Sequence, residues 1–289
     1  FHTAGSGGNP TGIGDFVRSL SAAGIPAAIV CADGIVGIGD ALATDIDHHL
    51  AYRVVRDGAE TYALPRYDLS PHDAAVAYRQ LLEPFIPQEV RDHKDKIWII
   101  LGNEVDKNRS RWLAQWAVES AAVWAEYKVL FFGWSAGEPE PEHWRTPEML
   151  DFLRLCERER GRVGVALHEY SYVTETLVQD GFRIGRYRDL YAACAENGIN
   201  RPFVLITEFG WTHERVPEPI TAISHIDAVF QTYQDYPPFA IWYLGPGFDN
   251  IANRVQPMIE PLTQYLLDSN EEPPPMAGEP RVDYERTYI

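Results

Sequence analysis

Two apolar runs in this 289-residue sequence close on carboxylates. Ile97 to Leu101 leads through Gly102 into Asn103-Glu104, and Phe203 to Ile206 leads into Thr207-Glu208-Phe209-Gly210-Trp211. A third run, Val163 to Leu167, is followed by His168 and Tyr170, whose two-residue spacing puts them on one face of a strand. Two carboxylates can divide proton-transfer or nucleophilic work when one is held ionised and the other protonated. Tyr170 is placed to donate a hydrogen bond to Glu208, which would keep that group ionised. Partial burial beside a second anion is expected to raise the pKa of Glu104. Four more polar or aromatic residues sit at or near the ends of apolar runs: Asp33, Arg53, Trp134 and Trp242.

If these residues are to meet, the chain must bring all those run ends to one rim. Apolar runs alternate with amphipathic stretches along the sequence. Strands are expected at 25–31, 50–55, 97–101, 129–132, 163–167, 203–206 and 239–243. Helices are expected at 13–23, 71–85, 110–126, 147–160, 187–197 and 220–233, with a last one at 258–268. Thr146 reads as an N-cap with Pro147 at the first helical position. Phe1-His2-Thr3-Ala4, ahead of a glycine-rich loop, reads as the end of an eighth strand that is cut short. Eight β-then-α units with mostly unbroken apolar strands indicate an α/β protein of the (β/α)8, or TIM, barrel class, whose active rim lies at the C-terminal ends of the strands. The alternative is a doubly wound open sheet. That fold would want a dinucleotide fingerprint, and Gly5-Ser6-Gly7-Gly8-Asn9-Pro10 does not supply one.

The barrel is expected to occupy residues 1–268. Residues 269–289 are expected to be a Pro-rich tail or linker, "EEPPPMAGEP" being an extended spacer that could lead to further domains. A net charge of −17 with no compensating basic cluster speaks against nucleic acid and anionic membrane surfaces as partners. No apolar run is as long as a membrane span, and the first residues lack the pattern of a signal peptide. Cys31, Cys156 and Cys194 are too scattered for a disulfide framework or a zinc site and read as small buried residues. A metal-dependent barrel would want His-x-His on the first strand, but Thr3 and Ala4 follow His2. No metal and no cofactor are expected.

Asn103-Glu104 at the fourth strand, His168-x-Tyr170 at the sixth, Glu208 at the seventh and Trp242 at the eighth together resemble the retaining glycoside hydrolases of clan A. The resemblance covers residues 1 to about 268 in the order of elements, and no single family of the clan is assigned. It implies cleavage of a β-linked oligo- or polysaccharide by double displacement. Glu208 would be the nucleophile and Glu104 the acid/base, with the carboxyl groups roughly 5 to 5.5 Å apart. It further implies that Asn103 bonds the sugar 2-hydroxyl and that Trp242 forms the floor under the reacting sugar, with Trp134 and Trp211 extending that platform. His168, Arg53 and Asp33 would support or bind substrate, although Arg53 could equally be an ion-pair partner of the glutamates. A polysaccharide substrate implies a secreted or cell-surface setting. The alternative function is a barrel that binds carbohydrate without cleaving it, as a module of a larger protein.

Overall fold

A computed structural model describes residues 1–5, 7–56, 60–212 and 215–270. Most of the expected Pro-rich tail, from Glu271 onward, lies outside the described residues. Eight strands form one sheet: β1 (His2–Ala4), β2 (Ala28–Ala32), β3 (His49–Arg53), β4 (Ile97–Leu101), β5 (Lys128–Trp134), β6 (Val163–Ser171), β7 (Phe203–Trp211) and β8 (Phe239–Trp242). Each pairs in parallel with the next in sequence order. Just past β8, the Leu244 N–H donates to the His2 carbonyl at 2.9 Å, joining the last strand to the first. The architecture is a single (β/α)8 barrel.

Helices fill the crossovers: α1 (Ile13–Ala22), α2 (Ile38–Leu42), α3 (Pro71–Leu82), α4 (Gln88–Asp92), α5 (Ser110–Val123), α6 (Pro147–Arg158), α7 (Tyr187–Glu196), α8 (Pro219–Thr232), α9 (Asp249–Val255) and α10 (Ile259–Asn270). Helix α3 starts where its sequence says it should, with Pro71 at N1 and the Ser70 hydroxyl accepting from the Asp73 N–H at 3.1 Å. Thr146 stands at the N-cap of α6, but its hydroxyl donates to the His143 carbonyl at 3.1 Å instead of capping the helix.

Strand alternation divides the apolar residues into two cores. Ala28, Val30, Ala51, Trp98, Ile100, Leu130, Ala166, Leu205 and Ala240 form the barrel interior, while the residues between them pack outward against the helices. Near the N-terminal ends of the strands, Trp98 stacks on Phe203 with centroids 4.7 Å apart and planes 12° apart. Truncating Trp98 to Ala there would cost about 3–5 kcal/mol through the cavity left behind.

Two strands run further than their apolar cores. β6 continues to Ser171 and β7 to Trp211, paired residue by residue from His168↔Glu208 to Ser171↔Trp211. The polar side chains therefore do not end these strands, because the backbone ladder continues beneath them. Register shifts between Leu167 and His168, and between Ile206 and Phe209, accompany the change. The second of these lets Leu205 and Glu208, an odd number of residues apart, both face the interior.

Candidate active site

The polar residues expected at strand ends converge at the C-terminal mouth. Glu208 from β7 is nearly buried, its side chain 8% exposed. Around it stand the Arg53 guanidinium from β3, 3.7 Å from Oε1, the His2 ring from β1, with Nδ1 3.8 Å from Oε1, and the His168 ring from β6, with Nδ1 3.3 Å from Oε2. Arg53 is thus an ion-pair partner of the glutamate. Burial, and after it the nearby Arg53 charge, holds the His2 imidazole well below its usual pKa. His2 is therefore neutral at physiological pH, and neither of its ring nitrogens has a hydrogen-bond partner among the described residues.

Glu104 approaches from β4 through a sharp turn. Gly102 has φ +84°, and a Cβ there would come within 2.9 Å of the Val105 side chain. Glu104 itself has φ +48°, and its N–H donates to the Gly133 carbonyl at 2.7 Å. This turn projects Glu104 into the mouth, where its side chain is 47% exposed. Its Oε1 accepts from the Tyr170 hydroxyl at 2.9 Å and from the Ser135 hydroxyl at 3.0 Å. His168 Nδ1 is 3.8 Å from that same oxygen and 3.3 Å from Glu208 Oε2, so the two carboxylate oxygens are at most about 7.1 Å apart, the two distances laid end to end.

Two sequence expectations are corrected here. Tyr170 donates to Glu104, not to Glu208, because the β4 turn brings the half-exposed carboxylate over the outermost inward residue of β6. And the Glu104 pKa is lowered to about 2 instead of raised. The His168 imidazole is the largest cause, acting across 3.8 Å, and the Tyr170 and Ser135 hydroxyls add to it, together outweighing desolvation. Tyr170 keeps its proton, since burial and both carboxylates push its pKa up.

The aromatic residues divide sharply. Trp242 is half-buried at the end of β8, roughly parallel to Tyr170 with centroids 5.9 Å apart and in contact with Phe248 at 5.1 Å. It is available as a platform. Trp134 is 0% exposed and packs on Phe132 and Trp144, and Trp211 is also 0% exposed, its indole N–H donating to the Glu175 carbonyl. Neither can present a face to a ligand, so the expected extended platform is not built from them. Trp211 lies on the extended end of β7 and Trp134 on the irregular end of β5, and both rings pack in the outer core between the barrel and its helices. Asp33 pairs with Arg56 at 3.6 Å. Asn103 is half-buried with an Oδ1 that finds no partner among the described residues.

Sequence reasoning missed Ser135, which directly holds Glu104. It is the residue immediately after β5, so extending the strand-end rule by one position would have found it. Glu169, between His168 and Tyr170 but facing outward, was also missed. Its carboxylate is fully buried, accepting from the N–H groups of Gly185 at 2.6 Å and Tyr187 at 3.0 Å and from the Tyr236 hydroxyl. It ties β6 to the start of α7 and to the loop before β8.

No protein-family model and no curated relative matches the chain. Among solved structures, the chain is similar to the GH39 enzyme from Xanthomonas axonopodis pv. citri, with TM-score 0.42 and 14% identity over 83% of this chain. The match spans 57% of that enzyme's chain. At that overlap the likeness assigns no residue here, and the barrel is established by the chain's own strand pairing.

Proposed function

We propose that the protein is a retaining glycoside hydrolase that cleaves a β-linked glycan, with Glu208 as nucleophile and Glu104 as acid/base. The observation that carries this reading is the pair of glutamates sharing His168. Retaining enzymes keep their carboxyl groups roughly 5 to 5.5 Å apart and inverting ones roughly 6.5 to 9.5 Å. The two His168 contacts bring one oxygen of each carboxylate within about 7.1 Å of the other, close enough for both groups to act on one glycosidic bond.

In the proposed reaction Glu208 attacks the anomeric carbon while Glu104 gives its proton to the departing glycosidic oxygen. Glu104, now ionised, takes a proton from water, and the resulting hydroxide equivalent displaces Glu208 from the sugar. The buried position of Glu208 beside Arg53 suits a group that must be charged and fixed, and the half-exposed position of Glu104 suits one that exchanges protons with solvent. Trp242 would support the C–H face of the reacting sugar, and the unclaimed Asn103 Oδ1 would accept from its 2-hydroxyl.

One observation favours a second reading. Glu104 is held ionised, and an acid without its proton cannot protonate a leaving group. Under the first reading, a bound sugar buries Glu104 further and strengthens the desolvation that already opposes its hydrogen bonds. Under the second, the barrel binds glycans without cleaving them. A panel of aryl β-glycosides and β-linked polysaccharides separates the two. Turnover lost in Glu208→Gln supports the hydrolase. Calorimetric binding of oligosaccharide with no reducing ends released supports the binding module.

A further inference from the structure

At the opposite, N-terminal mouth of the barrel lies a cavity of about 460 Å³, in the size range of small-ligand sites. Its lining includes His49 from the start of β3, Trp98 from β4, Lys128 from the start of β5, Arg160 after α6, and Arg201 and Phe203 around the start of β7. Among the described residues Asp47 is the one acidic residue lining it, against three cations, on a chain whose net charge is −17.

Two of those cations have no carboxylate within ion-pair distance among the described residues, although Asp47 and Asp95 act on Lys128, and Glu157 on Arg160, from further away. The Lys128 ammonium sits 4.5 Å from the Trp98 ring centroid, and among the described residues no carboxylate is within ion-pair distance of it. Arg160 likewise has none and donates only to the Arg201 carbonyl at 3.3 Å. Arg201 is committed to Asp235 at 3.0 Å. His49 Nε2 is buried and has no hydrogen-bond partner among the described residues. Burial lowers the pKa of both Lys128 and His49, the latter to about 4, so the imidazole is neutral near pH 7 and one of its nitrogens carries a proton to donate.

Closing the barrel floor needs only the Trp98–Phe203 stack. It does not need a half-buried ammonium with no carboxylate in direct contact beside an imidazole nitrogen that has no hydrogen-bond partner among the described residues, an arrangement that costs free energy until an acceptor arrives. We propose that this cavity is a second binding site, distinct from the Glu104–Glu208 mouth, for a small ligand carrying an oxyanion: a phosphate or a carboxylate group. Lys128 and Arg160 supply its charge, His49 a hydrogen bond, and the Trp98–Phe203 stack an apolar wall.

The test is calorimetric titration of the full chain with inorganic phosphate and, separately, citrate, at constant ionic strength with chloride as control. Saturable binding of either anion is expected, weakened at least about tenfold in Lys128→Met and in Arg160→Gln. Arg160 is exposed, so Arg160→Gln keeps the test valid if Lys128→Met fails to fold. Phosphate-only binding assigns a phosphate ligand, and citrate-only binding a carboxylate. The His49 ring resonance should shift on titration in the wild type, and in the variants only at correspondingly higher anion concentration. No saturable binding, binding equally strong to chloride, or affinity unchanged in Arg160→Gln overturns the proposal.

Discussion

Glu169 makes stability depend on pH in a direction opposite to that of most carboxylates. Burial raises its pKa from 4.5 to about 7, overcoming the hydrogen bonds from Tyr236, Gly185 and Tyr187 that favour the charged form. Between those two values the unfolded chain has released this proton while the folded chain keeps it. Stability from this group is therefore full below pH 4.5 and declines as pH rises towards 7. At about 1.4 kcal/mol per pKa unit, the shift amounts to about 3 kcal/mol, a large fraction of a domain's stability. In Glu169→Gln nothing titrates at this position. The variant should lose roughly 1–3 kcal/mol at pH 5, because an amide NH2 must face a buried N–H, yet its stability should no longer fall between pH 5 and 7.5 on this account. Urea unfolding of both proteins at half-unit pH steps measures the difference. A wild-type-minus-variant stability that stays constant across that window would refute the reasoning, because it would mean that Glu169 is ionised throughout.

Other outcomes follow from the same geometry. Tyr170→Phe removes one of the two hydroxyl donors to Glu104, so the Glu104 pKa, followed by carbon NMR, should rise from about 2 by roughly one unit. Ser135→Ala should shift it in the same direction. Because that pKa is lowered, the Glu104 contribution to stability is present above pH 4.5 and lost as pH falls towards 2, and a half-exposed group makes this loss small. Trp242→Ala should raise KM for glycosides tenfold or more with little loss of stability. Trp211→Ala should instead destabilise the fold by about 3–5 kcal/mol, because its ring is wholly buried and bonded to the Glu175 carbonyl.

The barrel was legible because its strands are buried on both faces, so they appear as unbroken apolar runs at regular spacing. Glu104 and Glu208 were legible for the same reason, as carboxylates ending such runs. What could not be read was direction. Trp134 and Trp242 each close a strand, but the register shift in β5 turns the first ring beneath the helices while the second stays at the mouth. The positive φ of Glu104 brings its carboxylate to Tyr170, and nothing in the order of residues says which glutamate that hydroxyl will meet. The outward position of Glu169 follows from alternation on β6. Its buried partners Gly185, Tyr187 and Tyr236 come from elsewhere in the chain and are joined to it only by the tertiary fold.

The central step of the proposed reaction is attack of Glu208 on an anomeric carbon. In Glu208→Gly the attacking oxygen is gone, and azide can occupy the space it leaves. With an activated aryl β-glycoside that the wild type hydrolyses, the variant should be inactive alone and, with azide, should release a glycosyl azide of inverted, α configuration. A variant that still hydrolyses the glycoside without azide, or one that yields only the β azide, would contradict Glu208 as the nucleophile.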